Sequence, residues 1–415
     1  MDIAEYIKDM ARKAKDAAFV LRSLVPETKT QALLGIADRI ERNRKRIKDA
    51  NELDIERGKK KGLSCAFLDR LLLTNSRIDS MSQSAREIAQ FDDPVGQIIA
   101  SRRPQGFLLE KVRVPIGVVA MIYESRPNVT VDAASLCLKS SNACILRGGS
   151  DALESNRVLT EVIGEALETA GVPRHAVCYV ERTEHEGVYH LVRQEGLVDL
   201  AIPRGGESLV RAVAEQATVP VIKHYKGVCH LYIDKSAPID MALEIVKNAK
   251  MQRPGTCNAL ETLLVHEDMK EEFLPRMRGT LDGVEIRGCE KTRQVLRDAK
   301  IATEDDYYTE YLDMILAVRV VGSVEEAIQH IEQYGSSHTD GIVSQDIKNI
   351  ERFTGAVDSA VVTVNASTRL SDGGVFGLGA EVGISTDKLH ARGPMGIGEL
   401  LTYKWVIRGN GDIRR

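Results

Sequence analysis

Cys257 is the residue whose surroundings read as chemistry rather than packing. It follows Lys250, Arg253, Pro254, Gly255 and Thr256, and the apolar stretch Thr262 to Val265 comes soon after it. A helix ending near Lys250 should therefore break into a turn that presents the thiol before a strand begins. Cations and free turn amides suit a thiolate, the attacking species in covalent catalysis. Cysteine is among the most buried residue types, but Pro and Gly beside two cations make a poor core segment and a good presentation loop. The remaining cysteines differ. Cys137, Cys144, Cys178 and Cys229 lie in or beside apolar runs and read as core, while Cys65 and Cys289 sit in polar stretches.

A second kind of chemistry is suggested upstream. From Pro115 onward, short apolar runs alternate with helical stretches: Gly117 to Tyr123, Ala143 to Arg147, Ala176 to Val180, Leu197 to Pro203 and Val219 to Ile222. That alternation predicts βαβ units and a mostly parallel sheet covered on both faces. Ligands of such sheets bind beyond the carboxyl ends of the strands. Three loops follow such ends: Glu124 to Thr130, Arg147 to Asp151, and Pro203 to Ser208. In the second, Arg147 is followed by Gly148, Gly149 and Ser150 at a helix start, an arrangement of backbone amides beside a cation that suits phosphate. An Arg there also favours a ribose carrying a 2′-phosphate, hence NADP over NAD. In the third, Pro203, Arg204, Gly205 and Gly206 repeat the pattern. The Gly-x-Gly-x-x-Gly fingerprint is not present; Gly377, Gly379 and Gly383 have the wrong spacing.

Other elements must position the thiol. His230 to Ile233 reads as strand, Ile239 to Lys250 as helix, Thr262 to Val265 as strand and His266 to Met277 as helix. The alternation continues through Met314 to Val321, Val324 to Gln333, Gly341 to Ser344 and Ala360 to Asn365. Residues 1 to about 90 carry a helical period and read as a helical layer. Their basic runs, Arg42 to Arg46 and Lys59 to Lys61, are flanked by acids, as on solvated helix faces. Ile98 to Val114 reads as extended.

Composition sets the limits. The chain has 415 residues, 43% hydrophobic, long enough for two or three domains. Its net charge of −4 gives no global field that recommends nucleic acid or membrane, so the expected partner is a small molecule. Seven cysteines without Cys-x-x-Cys pairs fit reduced thiols, and no metal site is legible. Met1 to Val20 is charged and helix-like, without the apolar core of a signal peptide or a membrane span, so a cytoplasmic location is expected.

Several motifs together resemble the gamma-glutamyl phosphate reductase family of the aldehyde dehydrogenase superfamily. They are Tyr123-Glu124-Ser125-Arg126-Pro127-Asn128-Val129-Thr130, Leu146-Arg147-Gly148-Gly149-Ser150, Ile202-Pro203-Arg204-Gly205-Gly206, and the run from Asn248 to Asn258 around Cys257. Val321, Ala327, His330-Ile331 and Tyr334-Gly335-Ser336-Ser337-His338-Thr339-Asp340 fit the family's signature. Gly379 to Thr386 and His390 to Pro394 resemble its C-terminal region, so the likeness covers nearly the whole chain.

The resemblance implies a reaction. Cys257 would attack the acyl phosphate of L-glutamyl 5-phosphate, expel phosphate and hold the acyl group as a thioester, reduced with NADPH to L-glutamate 5-semialdehyde. This is the second step of proline biosynthesis from glutamate. Backbone amides near Cys257 and the side chain of Asn128 are implied as oxyanion donors, although an ungapped alignment with hydrolytic aldehyde dehydrogenases places Ser125 at their oxyanion asparagine. Arg147 and Ser150 are implied at the adenosine ribose, Gly205 and Gly206 at the pyrophosphate, and Glu310 at the nicotinamide ribose. Hydrolytic relatives carry a glutamate base where this chain has Lys223-His224-Tyr225-Lys226-Gly227. A water-activating base is needed to hydrolyse a thioester and not to reduce one, so its absence favours reduction; the cations here suit phosphate. For the substrate's amine and carboxylate, the candidates are Glu124, Arg126, His338, Asn365, Ser367, Thr368 and Arg369, expected on loops facing Cys257. His330 reads as structural.

The superfamily likeness implies an α/β architecture, two doubly wound domains plus a small oligomerisation arm. Residues 1–100 and 115–228 would bind NADP, with the N-terminal helical layer attached; 229–385 would form the catalytic domain; 101–114 and 400–415 would form the arm. An exposed strand edge there predicts a homodimer or homotetramer, and glutamate 5-kinase is a possible partner. A coenzyme A-acylating relative would share the thiol and also lack the base. The His338 signature disfavours it. A scaffold without activity would be expected to have lost the nucleophile or the cofactor loops.

Overall fold

Alternate residues of the short apolar runs serve two cores, and that is why the runs become buried parallel strands. In the computed structural model, which describes residues 1–104, 106–124 and 126–414, Leu231 and Ile233 enter one core with Leu263, Phe273 and Leu316. Tyr232 between them enters another, with Leu264, Ile342 and Phe353. A sheet loaded on both faces must be covered on both faces, and the helices between strands do this.

The chain divides into two units. The first comprises 1–223, 378–383 and 395–415; the second comprises 224–377 and 384–394. The first is built on a four-stranded parallel sheet, in the order Val177–Tyr179, Ala143–Gly148, Val118–Tyr123, Leu200–Arg204. The order reverses between the last two strands, which creates a crevice at their carboxyl ends. Helices Ile3–Leu21, Pro26–Arg42, Arg44–Lys60 and Asn75–Gln90 make the expected helical layer. Asp2 and Thr74 accept backbone N–H bonds as N-caps for the first and last of these. Asp199 secures the layer, accepting Lys15 Nζ at 2.9 Å and Val118 N–H at 2.8 Å. The basic helix face is paired with acids, as in Arg46 to Glu165 at 3.1 Å. An antiparallel sheet orders Ile98–Arg102, Leu108–Pro115 and Leu401–Arg408.

The second unit has seven parallel strands, in the order Lys300–Ile301, Glu285–Gly288, Ile315–Val321, Leu260–His266, Cys229–Ile233, Thr339–Val343, Val361–Val364. The two at the first edge are polar and short, and their sequence gave no strand signal. Conversely, the run Val219 to Ile222 is not a strand: it makes a single bridge, Val221 to Ala201. Pro220 lacks the N–H that a ladder needs. Among the described residues no helix is long and apolar enough to cross a membrane, and all seven cysteines are free.

His330 is structural, as its sequence setting suggested. It lies on the helix Val324–Tyr334, 4% exposed, with ring centroids of Tyr307 and His230 at 4.9 and 5.4 Å. Neither ring nitrogen has a hydrogen-bond partner among the described residues. Burial drives its pKa down to about 2, with His230 and Arg319 adding repulsion. A depressed base contributes stability that is complete above the unfolded value near 6.5 and is lost as pH falls towards the folded value. Wild type should therefore lose about 1.4 kcal/mol per pH unit through this residue below pH ~6.5. His330→Phe, which keeps the ring but not the proton site, should show a shallower fall in unfolding free energy from pH 6.5 to 5. Identical slopes for the two proteins would dismiss the assignment.

Candidate active site

The turn that carries Cys257 is fixed at its base by a buried ion pair. Lys250, in the last turn of the helix Ile239–Met251, donates to Glu261 Oε2 at 2.8 Å, and both side chains are fully buried. Glu261 stands second in the strand Leu260–His266, and its other oxygen accepts Leu312 N–H at 3.1 Å. Burial raises the Glu261 carboxyl to about 7 against the pull of Lys250, and burial lowers Lys250. Lys250 is thus not a cation aimed at the thiol, as its place in the sequence suggested; a lysine this deep needs its carboxylate.

The crown of the turn is set by backbone contact. A Cβ on Gly227 would lie 1.8 Å from the Cys257 carbonyl oxygen and 2.9 Å from its Cα, so only glycine fits. The same carbonyl accepts the Cys229 thiol at 3.2 Å. Gly227 N–H donates to Glu310 Oε1 at 2.9 Å, Lys226 Nζ donates to the Tyr308 carbonyl at 2.9 Å, and Val228 N–H donates to Ser336 Oγ at 2.9 Å. The segment before the strand Cys229–Ile233 is therefore tied down on both sides. Its position places His224 at the thiol: donor atoms of His224, Cys257 and His338 all lie within 4.8 Å of one another. His224 Nδ1 is 2.9 Å from the Ile384 carbonyl, so it carries the proton and leaves the lone pair on Nε2. His338 is fully buried, with Nδ1 2.9 Å from the Thr339 hydroxyl. The stretch 223–227 stands where hydrolytic relatives carry a glutamate base and its cations suit phosphate, but nothing local singles out His224 as the residue that meets Cys257.

All of these groups lie at the amino ends of their strands. Arg369 joins them, donating from Nε to Gln252 Oε1 at 2.9 Å and from Nη1 to Asn258 Oδ1. Burial lowers its pKa, with Asp372 opposing. Asn258 is itself buried and donates to the Ser371 carbonyl at 2.8 Å, which ties residues 369–371 to the Cys257 turn. Ser367 Oγ accepts Arg369 N–H at 3.2 Å as the cap of the short turn Thr368–Leu370, and Thr368 is fully buried. Asn365 does not belong with them. It lies at the carboxyl end of Val361–Val364, and its amide is consumed by Ser344, accepting N–H and donating to the carbonyl at 2.9 Å each. The expectation that it faces Cys257 is corrected by strand direction: His338 precedes the neighbouring strand and Asn365 follows its own.

In the first unit, the loop candidates gather at the reversal point of the sheet. Glu124 N–H donates to the Arg204 carbonyl at 3.1 Å, and Glu124 Oε1 accepts Gly206 N–H at 3.2 Å at the start of the helix Glu207–Gln216. A Cβ on Gly205 would meet the Glu124 carboxyl at 2.6 Å. Glu124, a substrate candidate by sequence, thus sits among the cofactor candidates Gly205 and Gly206. That helix start is already shown to receive an anion. Arg204 pairs with Glu381 at 3.3 Å. Arg147 is buried and donates to the Gly148 carbonyl at 2.7 Å and the Thr183 carbonyl at 3.1 Å; burial lowers its pKa. Gly149 and Ser150 are half-buried and lead through the turn Ser150–Ala152 into the helix Leu153–Thr169. Arg126 is exposed, and its N–H donates to the Glu124 carbonyl at 2.6 Å. Asn128 starts the helix Asn128–Lys139 and donates to Asp132 at 3.2 Å. Ser125 lies outside the described residues.

Comparison with known proteins adds identity to this geometry. A sequence model of the aldehyde dehydrogenase family matches residues 3–295. The gamma-glutamyl phosphate reductase of Geobacter metallireducens is 50% identical over the full length of both chains. That of Caldanaerobacter subterraneus subsp. tengcongensis is 51% identical, over 98% of this chain and 99% of the other. The crystal structure of gamma-glutamyl phosphate reductase from Thermotoga maritima superposes with a TM-score of 0.97 at 46% identity, covering 99% of this chain and 100% of that one.

Three substitutions probe how the Cys257 turn is held. Lys250→Met should cost about 3–5 kcal/mol in unfolding free energy, because it strands a buried carboxylate. Lys250→Met combined with Glu261→Leu should recover most of it, less about 1 kcal/mol for the orphaned Leu312 N–H. A double variant no more stable than the single one would contradict this. Gly227→Ala should leave helix content intact by circular dichroism while slowing alkylation of Cys257 or abolishing turnover; unchanged values for both would mean the close approach is not needed.

Proposed function

The chain belongs to the gamma-glutamyl phosphate reductase family of the aldehyde dehydrogenases, and from that premise we propose that it reduces L-glutamyl 5-phosphate to L-glutamate 5-semialdehyde and phosphate through a thioester on Cys257. The observation that supports this reading most is the cluster at Cys257. Gly227 packs against the Cys257 backbone and His224 brings its imidazole to the thiol, while the segment 223–227 contains no carboxylate to activate water.

In this reading the Cys257 sulfur attacks the acyl carbon, and the bond from that carbon to the phosphate oxygen breaks. Amides of the Cys257 turn hold the tetrahedral oxyanion. His224 and His338 hydrogen-bond the departing phosphate, and Arg369, fixed on the same turn, takes the substrate carboxylate. Ser367 and Thr368 shape the short turn that aims Arg369. The acyl group then rests on sulfur, and the 223–227 segment holds no carboxylate base to activate water against it. NADPH, when bound, supplies the hydride that releases the aldehyde and returns the thiolate. The residues fit such a cofactor: Gly205 and Gly206 open a helix N-terminus that already binds a carboxylate oxygen. Gly148, Gly149, Ser150 and Arg204 line the neighbouring strand ends, and Arg147 retains its Nε without a partner among the described residues. Glu310, held on Gly227, is assigned to the nicotinamide ribose.

We assign the antiparallel sheet to self-association. Tyr403, Trp405 and Ile407 are exposed on its edge strand, with Lys111 Nζ 3.5 Å from the Tyr403 ring centroid. An uncovered edge of this kind suits pairing with a second copy, giving a dimer or tetramer in the cytoplasm. A glutamate 5-kinase would supply the labile acyl phosphate.

The decisive assay runs the reaction backwards, following NADP reduction with glutamate 5-semialdehyde. Wild type should require inorganic phosphate, and Cys257→Ala should fall by about 10⁴-fold or more, as for loss of a covalent nucleophile. Turnover without phosphate would make the protein a hydrolytic dehydrogenase, and a requirement for coenzyme A would make it an acylating one.

A further inference from the structure

We propose that His224, Cys257 and His338 form a binding site for a soft divalent cation of the zinc class, and that its occupancy reversibly silences the thiol. The donor atoms of the three residues lie within 4.8 Å of one another. Tetrahedral zinc with one sulfur and two imidazole nitrogens requires donors about 3.3–3.6 Å apart, given Zn–S near 2.3 Å and Zn–N near 2.0–2.1 Å. Closing the difference takes side-chain rotations of about 1 Å, and both Cys257 and His224 are only half-buried and able to make them.

The donor set selects the ion. One thiolate and two imidazoles suit zinc and its neighbours among transition metals, whereas magnesium and calcium require oxygen ligands. Three protein ligands leave a fourth position for water, as in open zinc sites. The outer contacts are those of a metal-ligating histidine: His224 gives its Nδ1 proton to the Ile384 carbonyl, which orients Nε2 as the donor. His338 is oriented by the Thr339 hydroxyl at 2.9 Å from its Nδ1. The sequence carried no zinc spacing because the three ligands come from segments 33 and 81 residues apart; only the parallel sheet brings the amino ends of their strands together. Binding replaces the thiol proton with the metal and releases that proton to solvent, so the sulfur's electron pair is no longer available to an acyl carbon. The site rests on the geometry of the cluster and the inhibition on the proposed role of Cys257.

The test uses full-length protein stripped with a chelator. Titration with cobalt(II) should give one equivalent per chain, with the visible bands of a tetrahedral ion and a near-ultraviolet thiolate charge-transfer band. Zinc should displace cobalt and erase both. Cys257→Ser should lose the charge-transfer band, and His224→Ala and His338→Gln should each weaken binding by about tenfold or more. His224→Ala is the safer variant because that ring is half-buried. Cys65→Ser and Cys289→Ser should bind like wild type. Zinc should protect Cys257 from iodoacetamide until a chelator is added. Absence of the charge-transfer band, or wild-type affinity in His224→Ala, would overturn the site. Binding with all these features but no effect on phosphate-dependent turnover would overturn the silencing alone, and neither outcome depends on which acyl acceptor the reverse assay identifies.

Discussion

The absence of a side chain at Gly227 is the constraint on which the thiol site depends. With no room for a Cβ beside the Cys257 carbonyl, the stretch before one strand and the turn before its neighbour lie in direct backbone contact. Everything else at the thiol follows from that contact. It sets where His224 enters, it brings Gly227 N–H to Glu310, and it leaves the Cys257 carbonyl to be taken by the Cys229 thiol. The parallel pairing of the two strands behind it, Leu231 against Leu263 and Tyr232 against Leu264, keeps the register that makes the contact reproducible.

Electrostatic order beneath the site is purchased from burial. Lys250 with Glu261 and His230 with Asp340, at 2.8 and 3.0 Å, are fully buried pairs in the second unit. Such pairs contribute little net stability, but each is costly to break singly. They act as pins that penalise any slip of the helix and strands carrying them.

Much of the fold was legible because its strands are short apolar runs bounded by turn residues. Val118–Tyr123, Ala143–Gly148 and Ile315–Val321 begin within a residue of where the apolar pattern starts. Glu285–Gly288 escaped notice because its residues are polar and it lies towards the sheet's edge, where one neighbour has only two residues. Val219 to Ile222 misled through an apolar pattern that Pro220 cannot turn into a ladder. At the site, Cys257 announced itself through Pro254 and Gly255, and His338 through a signature. His224 did not, since its place depends on tertiary register. Asn365 was misjudged because sequence does not display which end of a strand faces which loop.

Strand polarity also divides the molecule by how readily each end can change. At the carboxyl ends of the first unit's sheet, anions meet helix N-termini and backbone amides, a chemistry written in glycines that no larger residue reproduces. At the amino ends of the second unit's sheet, the preceding helix, Ile239–Met251, arrives carbonyl end first and offers an anion nothing. In the proposed reading, recognition there falls to side chains such as Arg369 and His224, each replaceable by one codon change. On the proposed assignments, a lineage built on this plan can alter its acyl substrate by point mutation while its nucleotide end stays nearly frozen, so divergence should accumulate at the amino ends of the second unit's sheet and be purged from the glycine turns of the first unit's.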